Sequence, residues 1–159
     1  ELRDKETIET AMHCVDTGHV VFSTLHTADA KQTINRIAHF YNHEEQELIH
    51  DQLAKNLKAV ICQRLVKTID GRGRLPVCEI MFEHPVISKL ILEDRTDEIQ
   101  TVMRSGEGGM QTFDMHLVQF VKEELVSLEE ALSIVDDEAA FRRLLKGRSS
   151  GGDRGGLIS

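Results

Sequence analysis

The stretch Thr17–Ala30, TGHVVFSTLHTADA, constrains this chain more than any other. Val20, Val21 and Phe22 make a nearly continuous apolar run, the pattern of a strand covered on both faces in a parallel sheet. Gly18 precedes the run as a turn residue, and His26, Thr27 and Asp29 follow it where a strand hands over to a helix. In open α/β sheets ligands bind outside the carboxyl ends of the strands, so these polar side chains stand where function is expected. Thr27 is expected to accept from a first-turn amide of the next helix, which Ala28 and Ala30 favour. The reading is a strand over Val20–Leu25 and a helix from about Ala28 to Phe40, with Ile34, Ile37 and Phe40 or Tyr41 facing the core.

The flanking segments supply more helices and one hairpin. Arg3–Asp16 reads as a helix with Ile8, Met12 and Val15 in one stripe. Asn42 with Glu45 three residues later is a capping-box start, for a helix expected to carry Leu48, Leu53, Leu57, Val60 and Ile61 as far as about Cys62. Leu65–Ile69 and Leu75–Phe82 read as strands joined across Asp70-Gly71-Arg72-Gly73, a hairpin signal. His84-Pro85 opens a short helix over Val86–Leu92, with proline suited to the first turn, and Ile99–Met103 adds another helical piece. After the glycine-rich joint Ser105–Gly109 the chain reads as helical over Met110–Leu125 and Ser127–Val135, with a last short helix carrying Phe141, Leu144 and Leu145. Residues 147–159 hold five glycines and three serines, a composition that does not order itself.

At 159 residues the chain buries one core with a small appended lobe. It has no apolar run near the roughly 18 residues that span a bilayer. It opens at Glu1, inside what reads as an ordered segment, and is expected to be a fragment of a longer protein. The net charge of −8 is uneven: Arg142 onward carries five basic residues and one acid, leaving −12 on residues 1–141. An acidic body excludes a dedicated nucleic-acid binder, which needs a basic footprint. Cys14, Cys62 and Cys78 form no CxxC pair, so neither a disulfide framework nor a zinc ribbon is expected, as in a cytosolic protein.

Several residues are candidates for chemistry. Glu1-Leu2-Arg3-Asp4 reads by itself as an acidic helix start, favoured by the helix dipole. His19 and His26 are seven residues apart, on opposite faces of a regular strand, and so are not ligands of one metal. His19 in an apolar run is an ordinary core residue, whereas His26 beside Thr27 and Asp29 is better placed to face a phosphate. His39 and His43 lack the HExxH pattern, and Gly106–Gly109 has neither the strand before it nor the Lys-Ser/Thr after it of a phosphate loop. No metal site is expected.

T-G-H, an apolar run and T-L-H-T together resemble the His box of the secretion-type ATPases, the hexameric motors of type IV pili and type II secretion. Glu1-x-Arg3-Asp4 resembles the end of their Walker B strand, where the glutamate orients the attacking water, a role that phosphoryl transfer requires. Gly109-Met110-Gln111-Thr112-Phe113-Asp114 matches the family's G-M-Q-T-[FM]-D. Asn56–Val60, Gln63–Val66 and Asp70–Arg74 are similar to the PilT and PilU retraction branch, most closely PilU. The gap after Gln63-Arg64-Leu65 lacks the four-cysteine zinc insertion of many extension ATPases. The PilT element A-I-R-N-L-I-R-E falls on Val86–Glu93, where Ser88, Lys89 and Leu92 depart and both arginines are lost, which favours an accessory, PilU-like ATPase over a sole motor.

This resemblance implies the C-terminal part of a RecA-like α/β P-loop NTPase core over residues 1–83, a helical lobe over 84–146 and a tail over 147–159. It implies Glu1 as the water-orienting carboxylate, His26 and then His19 near the nucleotide, and Arg36 as an arginine that reaches the neighbouring subunit's nucleotide; a surface salt bridge is the competing reading for Arg36. Arg64 matches the family's Q-R-L and is given no role. ATP and Mg²⁺ are the implied cofactors, for pilus retraction in the cytoplasm at the inner-membrane pilus base. The implied partners are identical subunits in a hexamer, a PilT-like paralogue and the inner-membrane platform protein. No G-x-x-x-x-G-K-[ST] occurs in the chain, so by itself it is expected to be inactive. Two alternatives stay open: a type II secretion or pilus-extension ATPase without the zinc insertion, and a non-catalytic oligomerisation or regulatory segment.

Overall fold

The computed structural model describes residues 1–147; most of the tail anticipated over 147–159 lies outside the described residues. The chain is mixed α/β and divides into two compact units, 1–64 with 76–113, and 65–75 with 114 onward. None of its helices among the described residues is long and apolar enough to cross a membrane.

In the first unit, helix α1 (Lys5–Asp16) starts at Asp4, whose carboxylate accepts from the Thr7 amide at 2.9 Å. Its Ile8 is fully buried, while Met12 and Val15 are half-buried. Helix α2 (Ala30–Ala38) buries Ile34 and Ile37, as its spacing predicts, and Tyr41 rather than Phe40 completes that face. Helix α3 (His43–Asn56) starts with the predicted capping box: Asn42 Oδ1 accepts from the Glu45 amide and Glu45 reaches back to the Asn42 amide. Strands β1 (Ala59–Lys67) and β2 (Arg74–Phe82) form the hairpin. Helix α4 (Pro85–Leu92) begins on proline, with His84 as its cap, and packs against α3. The short helix α5 (Ile99–Met103) buries Ile99 and Met103.

The second unit gathers the hairpin tip with the last helices. Gly71 takes φ +68° in the turn, a conformation that favours glycine. Asp70 there accepts from Thr68 Oγ1 and the Arg72 amide, bonds that hold its carboxyl below the usual carboxylate range. Helices α6 (Phe113–Lys122), α7 (Leu128–Leu132) and α8 (Glu138–Leu145) follow. Leu117, Val126, Ala131, Phe141 and Val66 are buried, and the Ile69 amide donates to Leu125 O at 2.8 Å. Ser127 caps α7 by accepting from the Glu130 amide, while the Glu130 side chain accepts from the Lys67 amide rather than closing a capping box.

Three expectations are corrected. Val20–Leu25 is extended but is no strand of a sheet: the sheet found among the described residues is the hairpin, and Val20 and Phe22 are 84% and 95% exposed. A buried parallel strand needs neighbours on both sides, and none of the described residues supplies them beyond one bond, from the Leu2 amide to Thr24 O at 2.9 Å. Second, α3 stops at Asn56, not Cys62, and Val60 and Cys62 are inward positions of β1. The apolar residues at 57, 60 and 61 continue the helical spacing, but backbone pairing in the hairpin takes them. Third, the cap of α2 is Asp29, which accepts from the Gln32 amide at 2.7 Å, while Thr27 Oγ1 pairs with Thr33 Oγ1.

Replacing Asn42 by alanine removes the side-chain half of the α3 capping box and is expected to cost about 1 kcal/mol, measured as a lower urea midpoint with an unchanged slope.

Candidate functional site

Glu1 and His26 come together where a single backbone bond joins the start of the chain to the His-containing stretch. The bond from the Leu2 amide to Thr24 O aligns residues 1–3 with the end of the His-containing stretch. Glu1 Oε1 then stands 3.4 Å from His26 Nε2, an ion pair whenever the imidazole is protonated. The His26 side chain is 91% exposed, so both groups are open to an incoming polyanion.

His19 is not part of this pair. Gly18, at φ +88°, turns the chain back after α1. The His19 ring is held near Thr17 Oγ1 at 3.1 Å and Cys14 O at 3.3 Å, at the carboxyl end of that helix. The stretch forms no ladder, so strand alternation does not separate the two histidines; the exposed His19 ring, no core residue, is held at the end of α1 while His26 reaches Glu1. Arg36 lies exposed on α2 with its guanidinium 5.4 Å from the Phe40 ring centre. Among the described residues it has no carboxylate within ion-pair distance, and no three His, Cys, Asp or Glu side chains gather to hold a metal ion.

Where the stretch enters α2 lies a cluster that sequence reasoning passed over. Glu79 on β2 is 1% exposed, between the inward residues Val77 and Met81. Its Oε1 accepts from the Ala30 amide, the first of α2, at 2.9 Å. Burial pushes its carboxyl above the ordinary value of 4.5, against the pull of the Ala30 amide, with Asp29 adding to the rise and Arg64 opposing it. Arg64 on β1 donates from Nη2 to Ala28 O at 3.3 Å and lies 4.2 Å over the Phe113 ring. The signal was present in PVCEIMF, where the period-two pattern of the strand puts a glutamate on the inward face. Nearby, burial pushes the Cys62 thiol up to about 11, with Thr33 Oγ1 3.9 Å away.

A profile of the type II/IV secretion system proteins matches residues 1–134. The chain belongs to that family. It is 42% identical over 132 residues to the type IV pilus retraction ATPase PilT of Pseudomonas aeruginosa, covering 82% of this chain and 38% of that protein. It is 37% identical over 147 residues to the type IV pilus ATPase PilU of the same organism, covering 92% of this chain and 38% of that one. Among solved structures, that of the pilus retraction motor PilT with bound ADP superposes with a TM-score of 0.79 at 35% identity, over 90% of this chain and 40% of that one. The fold is therefore that of part of a PilT-like α/β ATPase, and the chain spans about two fifths of the length of these relatives.

Two outcomes follow from the buried cluster. Glu79 is more readily protonated folded than unfolded, so it destabilises the fold above its raised folded pKa and this penalty fades as pH falls toward 4.5. Glu79→Gln, which still accepts from Ala30, is therefore expected to melt higher than wild type by a margin that widens from pH 4.5 upward, read by thermal denaturation across pH. Cys62 is expected to be the slowest of the three thiols to react with iodoacetamide at pH 8, read by peptide mass spectrometry, because burial withholds its thiolate.

Proposed function

We propose that this chain is the C-terminal part of an ATPase that powers type IV pilus retraction, on the PilU side of the family. In the longer protein it would present Glu1 and His26 to the γ-phosphate end of an ATP site. The observation that carries this reading is the 3.4 Å approach of Glu1 to His26. It sets a carboxylate able to orient water beside an imidazole able to meet a phosphate oxygen, both open to solvent.

Glu1 holds the attacking water in line, and His26 carries the state of the nucleotide into the turn that leads to α2. Arg36, at the surface and without a carboxylate partner among the described residues, reaches toward a neighbouring subunit's nucleotide. His19 has the lesser part, steadying the start of the stretch from the end of α1. The phosphate cradle belongs to a P-loop in the longer protein. Mg²⁺ would be held there as well, through the Ser/Thr hydroxyl of that loop. The reading takes residues 1–83 as the C-terminal half of the RecA-like core and 84–146 as its helical lobe. It takes the assembly as a homo-hexamer in the cytoplasm at the pilus base, working with a PilT-like paralogue and the inner-membrane platform protein to draw pilin out of the filament.

In the longer, P-loop-containing protein, Glu1→Gln is expected to lower ATP turnover by about 100-fold or more while ADP affinity, measured by titration calorimetry, stays close to wild type. Loss of ADP binding would place Glu1 in the cradle instead and remove it from the hydrolytic role.

A further inference from the structure

The three-residue backbone Ala28–Ala30, which joins the His26 stretch to α2, is gripped from two sides by the hairpin. Arg64 on β1 donates to the carbonyl of Ala28 at 3.3 Å, and Glu79 on β2 accepts from the amide of Ala30 at 2.9 Å. We infer that Arg64 and Glu79 are positioning residues, a clamp that fixes the exit of the His26 stretch and thereby the place at which His26 stands beside Glu1. The inference rests on the hydrolytic role proposed above for that pair, but its geometry is independent of it.

The first turn of α2 shows why a buried acid is needed. The leading amides of a helix have no partner inside it. Asp29 spends its side chain on Gln32, both on the main-chain amide and on the side-chain Nε2. The Thr33 amide goes to Asp29 O. Ala30 is 1% exposed, so without Glu79 its amide would be shut away from water and unbonded, an expensive condition. An apolar residue at 79 would avoid burying a carboxylate but would leave that amide orphaned.

Arg64 is fixed in turn. Its guanidinium lies over Phe113, a contact that holds the planar group while leaving Nη2 free to reach Ala28 O. His26 is two residues before Ala28, and the intervening Thr27 is tied to Thr33 inside α2. From the hairpin to His26 the path is thus two peptide units, held at both ends. Beyond it the imidazole is exposed and meets only Glu1 among the described residues, so its place is set through the backbone: by the clamp and the Thr27–Thr33 pair on one side and the Leu2–Thr24 bond on the other.

The test has two arms. In this chain, Glu79→Ala and Arg64→Met are expected to raise exchange of the Ala30 amide, the one among residues 26–30 with a bond to lose, by about tenfold, the size of a lost cap, with exchange in α3 unchanged; Glu79→Gln stays near wild type. In the longer protein the same two variants are expected to lower kcat by about tenfold or more, as a misplaced group does, with ADP affinity unchanged and Glu79→Gln again close to wild type. Arg64→Met keeps an unbranched apolar side chain of similar reach at this position, so it carries the test if Glu79→Ala fails to fold. Unchanged exchange of the Ala30 amide in a folded Arg64→Met protein overturns the clamp. So does a kcat loss matched by an equal loss of ADP binding, which marks general damage. If the wild-type longer protein turns over no ATP, the hydrolytic reading falls, and the exchange arm alone decides the clamp.

Discussion

A carboxylate taken out of water is the constraint around which this fold is arranged. Glu79 lies between Val77 and Met81 on the inward face of β2, where an unpartnered charge would be costly. Only an arrangement that brings donors to it tolerates that position. The Ala30 amide donates to it because α2 starts there, and the Arg64 charge, whose own bond goes to Ala28 O, lies near enough to favour the ionised form. The carboxylate thus ties a helix start to a hairpin 49 residues away in sequence. Neither element could shift its register without stranding a polar group.

What was legible in the sequence was local. Asn42 with Glu45 and His84 with Pro85 each satisfy their own helix start within a few residues, and each appears in the structure as read. The hairpin turn was legible for the same reason: Asp70 and Gly71 settle its geometry between themselves and their immediate neighbours. The apolar segment 57–62 was not, because its spacing suits a helix and a strand alike; β2 decided the matter by pairing. The choice of Asp29 over Thr27 as a cap was equally hidden, since it turned on Thr27 finding Thr33 instead.

The candidate site divides in the same way. Family motifs picked out Glu1 and His26, and the structure places them side by side. The same motifs offered His19 and Arg36, which the structure sets apart from that pair, one against the end of α1 and the other over Phe40. Residue type alone did not separate these outcomes, because the approach of Glu1 to His26 depends on a backbone bond between segments more than twenty residues apart. Glu79 and Arg64 carry no motif of their own with an assigned task. Their positions emerge only when the alternation of the two strands is laid over the start of α2.

The extended stretch at Val20–Phe22 has a consequence for handling the molecule. It shows two large apolar side chains almost wholly to solvent and, among the described residues, has little main-chain pairing. Such a ribbon is a template for another ribbon. At high concentration, a chain of this extent would tend to stack edge to edge with copies of itself, and its colloidal behaviour would be governed by these few residues rather than by its acidic surface.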